Sequence, residues 1–418
     1  MIRDRLRRWR GAPELPAPDR DPFRLRLYSA PWVLPGEGSP IRDGAAVMDI
    51  EDGTVLAVGD MDELARVWAG VHRAELDGML MPGLVNANAR LELTALSRAD
   101  LEVPSGIGLR RWLRKISELR AETDRLDDDS RESQIRNAVR ASLAEGTAAV
   151  GEITHSLRPV PAMGREGMYG VVFHELVTAR RMAKALAAAA VQKAGVIPWP
   201  DGVRYRLAPD GLRATAKSAI KELAGIALEA GAETVIQMAG SDDDWDLRRA
   251  GETAAMQFLE LLHDRMLLIH PLGGGRMIAE QAASTGAPVV LCPRSDLHVS
   301  GDLPPLVSYL ESGCRVALGT DSSSSSPGMS VLREAAELHA SYPEVPSMVL
   351  FGAATAGGAD ALGLETMGSL EEGRAPGLLS VDTHGVTPDD PYGWLLRAGN
   401  PDLSWLVRAA PPPLADVA

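Results

Sequence analysis

Histidine and cysteine are scarce in this sequence. Two cysteines, Cys292 and Cys314, cannot build a disulfide framework, and a zinc site made of cysteine alone is excluded. The eight histidines are His72, His155, His174, His263, His270, His298, His339 and His384. Any site that needs several imidazoles has few to draw on. Basic charge is also short: 43 Lys+Arg face 57 Asp+Glu, a net charge of -14 at pH 7. That surplus of acid disfavours a broad surface for nucleic acid or an anionic membrane. No run of roughly 18 apolar residues occurs, so no membrane span is expected. The basic start, MIRDRLRRWRG, lacks the apolar core of a secretory signal and reads as a solvated tail or a docking arm. A soluble, cytoplasmic protein is the expectation.

What is present points to a globular chain. Hydrophobic residues make up 45% and charged residues 24% of 418 residues, which argues against wholesale disorder. That length suits two or three domains, or one barrel with a satellite. From Phe23 to Leu80 the pattern is short strands and turns. Residues 23–28 alternate with period two, and Glu51-Asp52-Gly53 sits between two apolar runs as a hairpin turn does.

After Met81-Pro82-Gly83 strands alternate with helices. Leu109, Trp112, Leu113, Ile116 and Leu119 mark one helical face, and Ile135, Ala138, Val139 and Leu143 another, ended by Gly146. Buried strands are expected near Val150, at 170–173, 203–207, 234–238, 266–269, 288–291 and 315–318. With the strand before Asn86 this approaches eight strand–helix units over about 280 residues, the size of a (β/α)8 barrel. The predicted organisation is a basic tail (1–22), a first β-sandwich segment (23–80), a TIM barrel (81–366), a second β-sandwich segment (367–410) and a tail (411–418). The late strands, with no helix foreseen between them, are expected to return to the N-terminal β segment.

Four collinear segments resemble the amidohydrolase superfamily, in its deaminase and chlorohydrolase branch. They are Met81-Pro82-Gly83-Leu84-Val85-Asn86-Ala87, Val290-Leu291-Cys292-Pro293-Arg294-Ser295, Ala317-Leu318-Gly319-Thr320-Asp321-Ser322, and Ala361–Leu364 followed by Gly368–Gly373. The resemblance spans roughly residues 23–410 and is nearest in flavour to aminodeoxyfutalosine-deaminase-type proteins. It implies an α/β fold: a metal-dependent TIM barrel with a small discontinuous β-sandwich. It also implies hydrolysis of C–N or C–Cl bonds, often on purine- or pyrimidine-like rings. In that chemistry the metal lowers the pKa of a bound water and a carboxylate shuttles its proton.

The residues depart from that pattern where the chemistry sits. The resemblance implies His-x-His after the first strand, but this chain has Asn88 and Arg90. A guanidinium stays protonated and cannot ligate a cation. The fifth-strand His-x-Ala-Glu is replaced by Gln237-Met238-Ala239-Gly240, so Gly240 has no side chain to move a proton. The fourth-strand Ser-Pro-His is Ala208-Pro209-Asp210 here. His270 and Asp321 keep their family positions and are the candidate catalytic residues; a core histidine and a turn aspartate are the plain alternatives. Glu175, Asp210, Arg294 and Ser295 are candidate substrate-binding residues. His155, His174 and Glu175 follow strand ends and offer an alternative cluster, although adjacent His174 and Glu175 cannot point the same way on an ideal strand.

Plainer readings cover the other motifs. Ser322–Ser326, without a Gly-x-Ser-x-Gly elbow, reads as a flexible turn. Gly273-Gly274-Gly275 reads as a flexible loop, Asp242-Asp243-Asp244 as a cap or solvated run, and the two cysteines as core residues.

The expectation is an amidohydrolase-like protein that is hydrolytically inactive or impaired. It would keep a small-molecule pocket or support a paralogue, and it would have no metal cofactor. The alternative is an active hydrolase of non-peptide C–N bonds on a nucleoside-like substrate, using one divalent metal, zinc or iron, at an atypical site. Arg90 is expected to lie beside Asp321 and to supply the missing positive charge. A homodimer is expected by analogy only.

Overall fold

The computed structural model describes residues 21–96, 105–123, 127–177, 180–209, 217–237, 261–272, 275–399 and 401–411. The N-terminal tail to residue 20, Asp210, Gly240, the Asp242–Asp244 run, and Gly273 with Gly274 lie outside the described residues. Among the described residues no helix is long and apolar enough to cross a membrane.

The chain begins with five strands: β1 (Leu25–Val33), β2 (Ile41–Asp49), β3 (Val55–Asp60), β4 (His72–Glu75) and β5 (Met79–Pro82). Eight more follow in alternation with helices: β6 (Leu84–Ala89), β7 (Thr147–Thr154), β8 (Tyr169–Leu176), β9 (Val203–Pro209), β10 (Thr234–Gln237), β11 (Met266–Ile269), β12 (Val289–Leu291) and β13 (Val316–Leu318). Two late strands, β14 (Leu378–Val381) and β15 (Leu403–Val407), complete the chain.

Seven strands form one sheet in the order β15-β14-β5-β1-β2-β3, with β4 also paired to β1. The Asp-Gly turn works as expected between β2 and β3. Asp49 accepts from the Glu51 N–H at 3.0 Å, and Gly53 takes φ +71. Two details differ from the expected layout. Met81 and Pro82 belong to this sheet, in β5, so the first barrel strand starts only at Leu84. A helix, Pro391–Ala398, lies between β14 and β15. It is capped by Asp390, and Tyr392, Leu395 and Leu396 are buried on its inner face.

The central body is a (β/α)8 barrel. Strands β6 to β9 pair in parallel order, as do β10 to β13. The two sets meet at both edges. At one, Ala89 bridges Asp321 in parallel, and the Thr320 N–H donates to Asn88 O at 2.8 Å. At the other, Thr234 Oγ1 donates to Leu207 O at 2.9 Å. One apolar cluster draws on all eight strands, through Val85, Ala149, Val171, Ala208, Val235, Leu267, Val290 and Ala317. A sheet closed on itself produces such a core. It also explains why these strands read as near-continuous apolar runs: both faces are covered.

The two foreseen helices form, at Leu109–Thr123 and Asp128–Ala144. In the first, Trp112 and Ile116 are buried but Leu113 is exposed, so the apolar face is narrower than its pattern implied. The second buries Ile135, Ala138, Val139 and Leu143, and the chain leaves it at Gly146 with φ +83.

Candidate functional site

The described polar candidates cluster at one end of the barrel because each sits at or just past the C-terminal end of a strand. Asn88 is in β6 and Arg90 follows it, Glu175 is next to last in β8, and Gln237 ends β10. His270 follows β11, Ser295 lies in the helix after β12, and Asp321 follows β13.

Arg90 is the hub. Its Nη1 and Nη2 donate to Glu175 Oε2 and Oε1 at 3.0 and 3.1 Å, a forked pair, while its Nε lies 3.3 Å from Asp321 Oδ1. A planar guanidinium matches a carboxylate in this way, and an ammonium would not. The expected neighbourhood of Arg90 and Asp321 is therefore present, but the stronger partner is Glu175. Glu175 also accepts from Gln237 Nε2 at 2.6 Å, and His155 Nε2 is 3.2 Å from its Oε2. Its side chain is fully buried. It is the forked counter-ion of Arg90.

His270 is held by a residue that sequence reading missed. Its Nδ1 is 2.7 Å from Asp296 Oδ1. Burial alone would keep this imidazole neutral, but the Asp296 carboxylate outweighs burial and holds the His270 pKa above its usual value. Asp296 stands next to Ser295 in the same segment, so the signal was one residue away. Asn88 presents its amide 3.5 Å from His270 Nε2 and 3.3 Å from Cys292 Sγ. Burial pushes the Cys292 thiol well up, so it keeps its proton.

Charge linkage gives His270 a pH signature. Its folded pKa is raised, so its stabilising contribution is complete below the unfolded value of about 6.5 and is lost as pH rises through the folded pKa. The stability difference between the chain and Asp296→Asn is expected to shrink as pH climbs from about 6.5. Urea unfolding at a series of pH values measures it; a difference that stays flat through pH 9 would mean that His270 is neutral throughout.

Asp321 is fixed by serines. Its Oδ2 accepts from Ser295 Oγ at 3.1 Å and from Ser325 Oγ at 3.0 Å, and those two hydroxyls lie 2.9 Å apart. The serine run is therefore not a loose turn. Ser322, Ser325 and Ser326 are buried, and Ser326 donates to the buried Glu334. Ser295 therefore bonds Asp321 directly. Both His270 (φ +53) and Asp321 (φ +57) adopt left-handed backbone, which costs a non-glycine residue roughly 1–3 kcal/mol. The two family positions that persist are thus both strained.

Other candidates fall elsewhere. Arg294 donates to Ser326 Oγ and Pro327 O, both at 3.0 Å, so its head faces away from the mouth. His174 lies on the opposite face of β8 from Glu175. Its nitrogens lie 3.1 Å from Tyr205 Oη and 3.2 Å from the His155 carbonyl. The alternative cluster therefore loses His174, and Asp210 and Gly240 lie outside the described residues. Glu92, unremarked in the sequence, anchors the end of β7 by accepting from Thr154 Oγ1, Ser156 Oγ and the His155 N–H. Burial opposes its ionisation, but those three donors outweigh it and hold its pKa low. Cys292 is buried and Cys314 half-buried, both as free thiols.

The sequence signature of the Amidohydrolase family matches residues 79–408. The chain belongs to the amidohydrolase family. Curated relatives that the chain resembles carry deaminase names. The 5-methylthioadenosine/S-adenosylhomocysteine deaminase of Halobacterium salinarum is 28% identical over 370 residues, covering 82% of this chain and 80% of the relative. The amidohydrolase fold is shared with the aminofutalosine deaminase of Helicobacter pylori in complex with methylthio-coformycin. That structure has a TM-score of 0.75 and 19% identity, over 90% of this chain and 96% of the neighbour. It is shared too with the atrazine chlorohydrolase of Arthrobacter aurescens TC1 complexed with zinc, at TM-score 0.76 and 20% identity, over 94% and 97%.

Among the described residues, the mouth of this amidohydrolase does not fit a divalent cation. Arg90 lies within ion-pair distance of both Glu175 and Asp321, Asn88 and Gln237 offer only amides, and Asp296 engages His270 Nδ1. A metal would have to displace a guanidinium from its two carboxylates. Among the described residues, the group able to bring three ligand atoms within 4.8 Å of one another is Asp382, His384 and Asp402. These are exposed and lie beside β14 and β15 of the seven-stranded sheet, not on a barrel strand.

Proposed function

We propose that the barrel mouth binds a nucleoside-like heterocycle and that Arg90 stands there in place of a divalent metal. The observation that carries this reading is the forked Arg90–Glu175 pair with Asp321 on Arg90 Nε. Buried carboxylates facing one cavity repel unless a cation lies between them, and the guanidinium does this without a metal. The deaminase names of relatives such as the Halobacterium protein support the ligand class. His270, held at Nδ1 by Asp296, and the Asn88 amide offer polar groups there. Such polar edges recognise ring nitrogens and exocyclic groups. On this reading the chain is impaired as a hydrolase: Arg90 replaces a ligand and Gly240 stands where a proton-shuttling carboxylate is implied.

The second reading is a working deaminase that holds zinc or iron at an atypical place. It is favoured by deaminase relatives matched over four-fifths of both chains and by zinc in a neighbour of the same fold. One experiment separates the two. Protein purified without chelator is assayed for metal and for ammonia release from methylthioadenosine and S-adenosylhomocysteine, with binding of both followed by calorimetry. The expected result is binding without ammonia and with well under one metal ion per chain. Stoichiometric metal, lost together with ammonia release in Asp321→Ala, would establish the second reading instead.

A further inference from the structure

A second cavity lies outside the barrel mouth, of about 630 Å³, a size suited to a small metabolite. It is walled by the helices Pro293–Ser300, Val331–Ser341 and Pro391–Ala398. Arg294, Arg333, Arg397 and His339 line it, against one lining carboxylate, Glu337. Three guanidiniums thus surround one groove.

Each of these cations has its carboxylate partner only at the long end of ion-pair distance. Arg333 has Glu145 at 3.7 Å and Arg397 has Asp390 at 3.8 Å, both longer than a hydrogen bond. Arg294 reaches Glu334 only at 3.8 Å. Two lining side chains keep a buried nitrogen without a hydrogen-bond partner among the described residues: Arg333 Nε and His339 Nδ1. The wall is also preorganised, because Ser326 Oγ and Pro327 O fix the Arg294 head and spare the ligand that ordering cost.

We propose that this groove is a binding site for a small oxyanion-bearing molecule, recognised by the guanidinium forks of Arg333 and Arg397 beside a fixed Arg294. Phosphate and polycarboxylate groups share this chemistry, and planar forks suit both. The site is separate from the mouth, where Arg90 is occupied by Glu175 and Asp321.

Calorimetry on the full chain at low salt tests the proposal, with inorganic pyrophosphate and tricarballylate titrated separately. Saturable binding to a single site is expected for one of them, and which one binds assigns the ligand class. Arg333→Gln/Arg397→Gln is expected to weaken it by about tenfold or more with the melting temperature kept. Arg397→Lys, which keeps the charge but not the fork, is expected to weaken it severalfold. Should the double variant not fold, Arg397→Gln alone carries the test, since that side chain is 60% exposed. Absence of saturable binding by either probe, or binding unchanged by these substitutions, overturns the proposal.

Discussion

Replacing Arg90 with methionine is expected to destabilise the fold by about 3–5 kcal/mol, the cost of stranding a buried charge. Glu175 has no exposed side-chain surface, so water cannot replace the guanidinium. Asp321 keeps its two serine donors and suffers less. The double variant Arg90→Met/Glu175→Gln is expected to recover more than half of the loss, because the amide introduced in β8 would be neutral and could still bond Gln237. Urea denaturation of the three proteins measures this as a coupling energy. A single-variant loss below about 1 kcal/mol would show that the pair contributes little more than a surface ion pair does. The same substitution is expected to abolish ligand binding at the mouth, since it removes the central cation of the site.

The second large effect lies at the other end of β8. Gly170→Val is expected to leave no folded protein at 37 °C, a loss above about 4 kcal/mol. Gly170 sits at φ +142, and a Cβ added there would meet the Val150 carbonyl oxygen of β7 at 1.9 Å. Neither strain can relax, because β8 pairs on both sides, with β7 and β9. The glycine lets β7 and β8 close up, and that closeness sets the register that brings Glu175 to Arg90. Circular dichroism and melting of the purified variant check it; a folded variant with near-normal melting would mean that the strand can shift without losing the barrel.

Much of the architecture was legible because it repeats. Period-two alternation marked β1, helical spacing marked the inner faces at Ile135 to Leu143, and apolar runs marked the doubly covered barrel strands. Local errors came where one pattern served two elements. Met81 and Leu84 belong to one apolar stretch, yet Gly83 divides them between two sheets. A Cβ there would press on Ala148 and the Pro376 carbonyl. Leu113 matched the helical stripe but faces water, since that helix packs mainly through Trp112 and Ile116. The serine run looked like a loose turn because hydroxyls suit solvent equally well. Only the proximity of Asp321 and Glu334 makes them buried donors.

The sequence by itself determined the family of folds and which reactive positions had changed. Residue identity at a strand end is local information, so Asn88, Arg90 and Gln237 could be read as unfit for a cation one at a time. Tertiary structure alone decided what the changed residues do. Arg90 meets Glu175 across 85 positions of chain, and His270 meets Asp296 across 26. No periodicity encodes such pairs, because they follow from the register of parallel strands around a closed barrel and from burial that denies each charge the alternative of water.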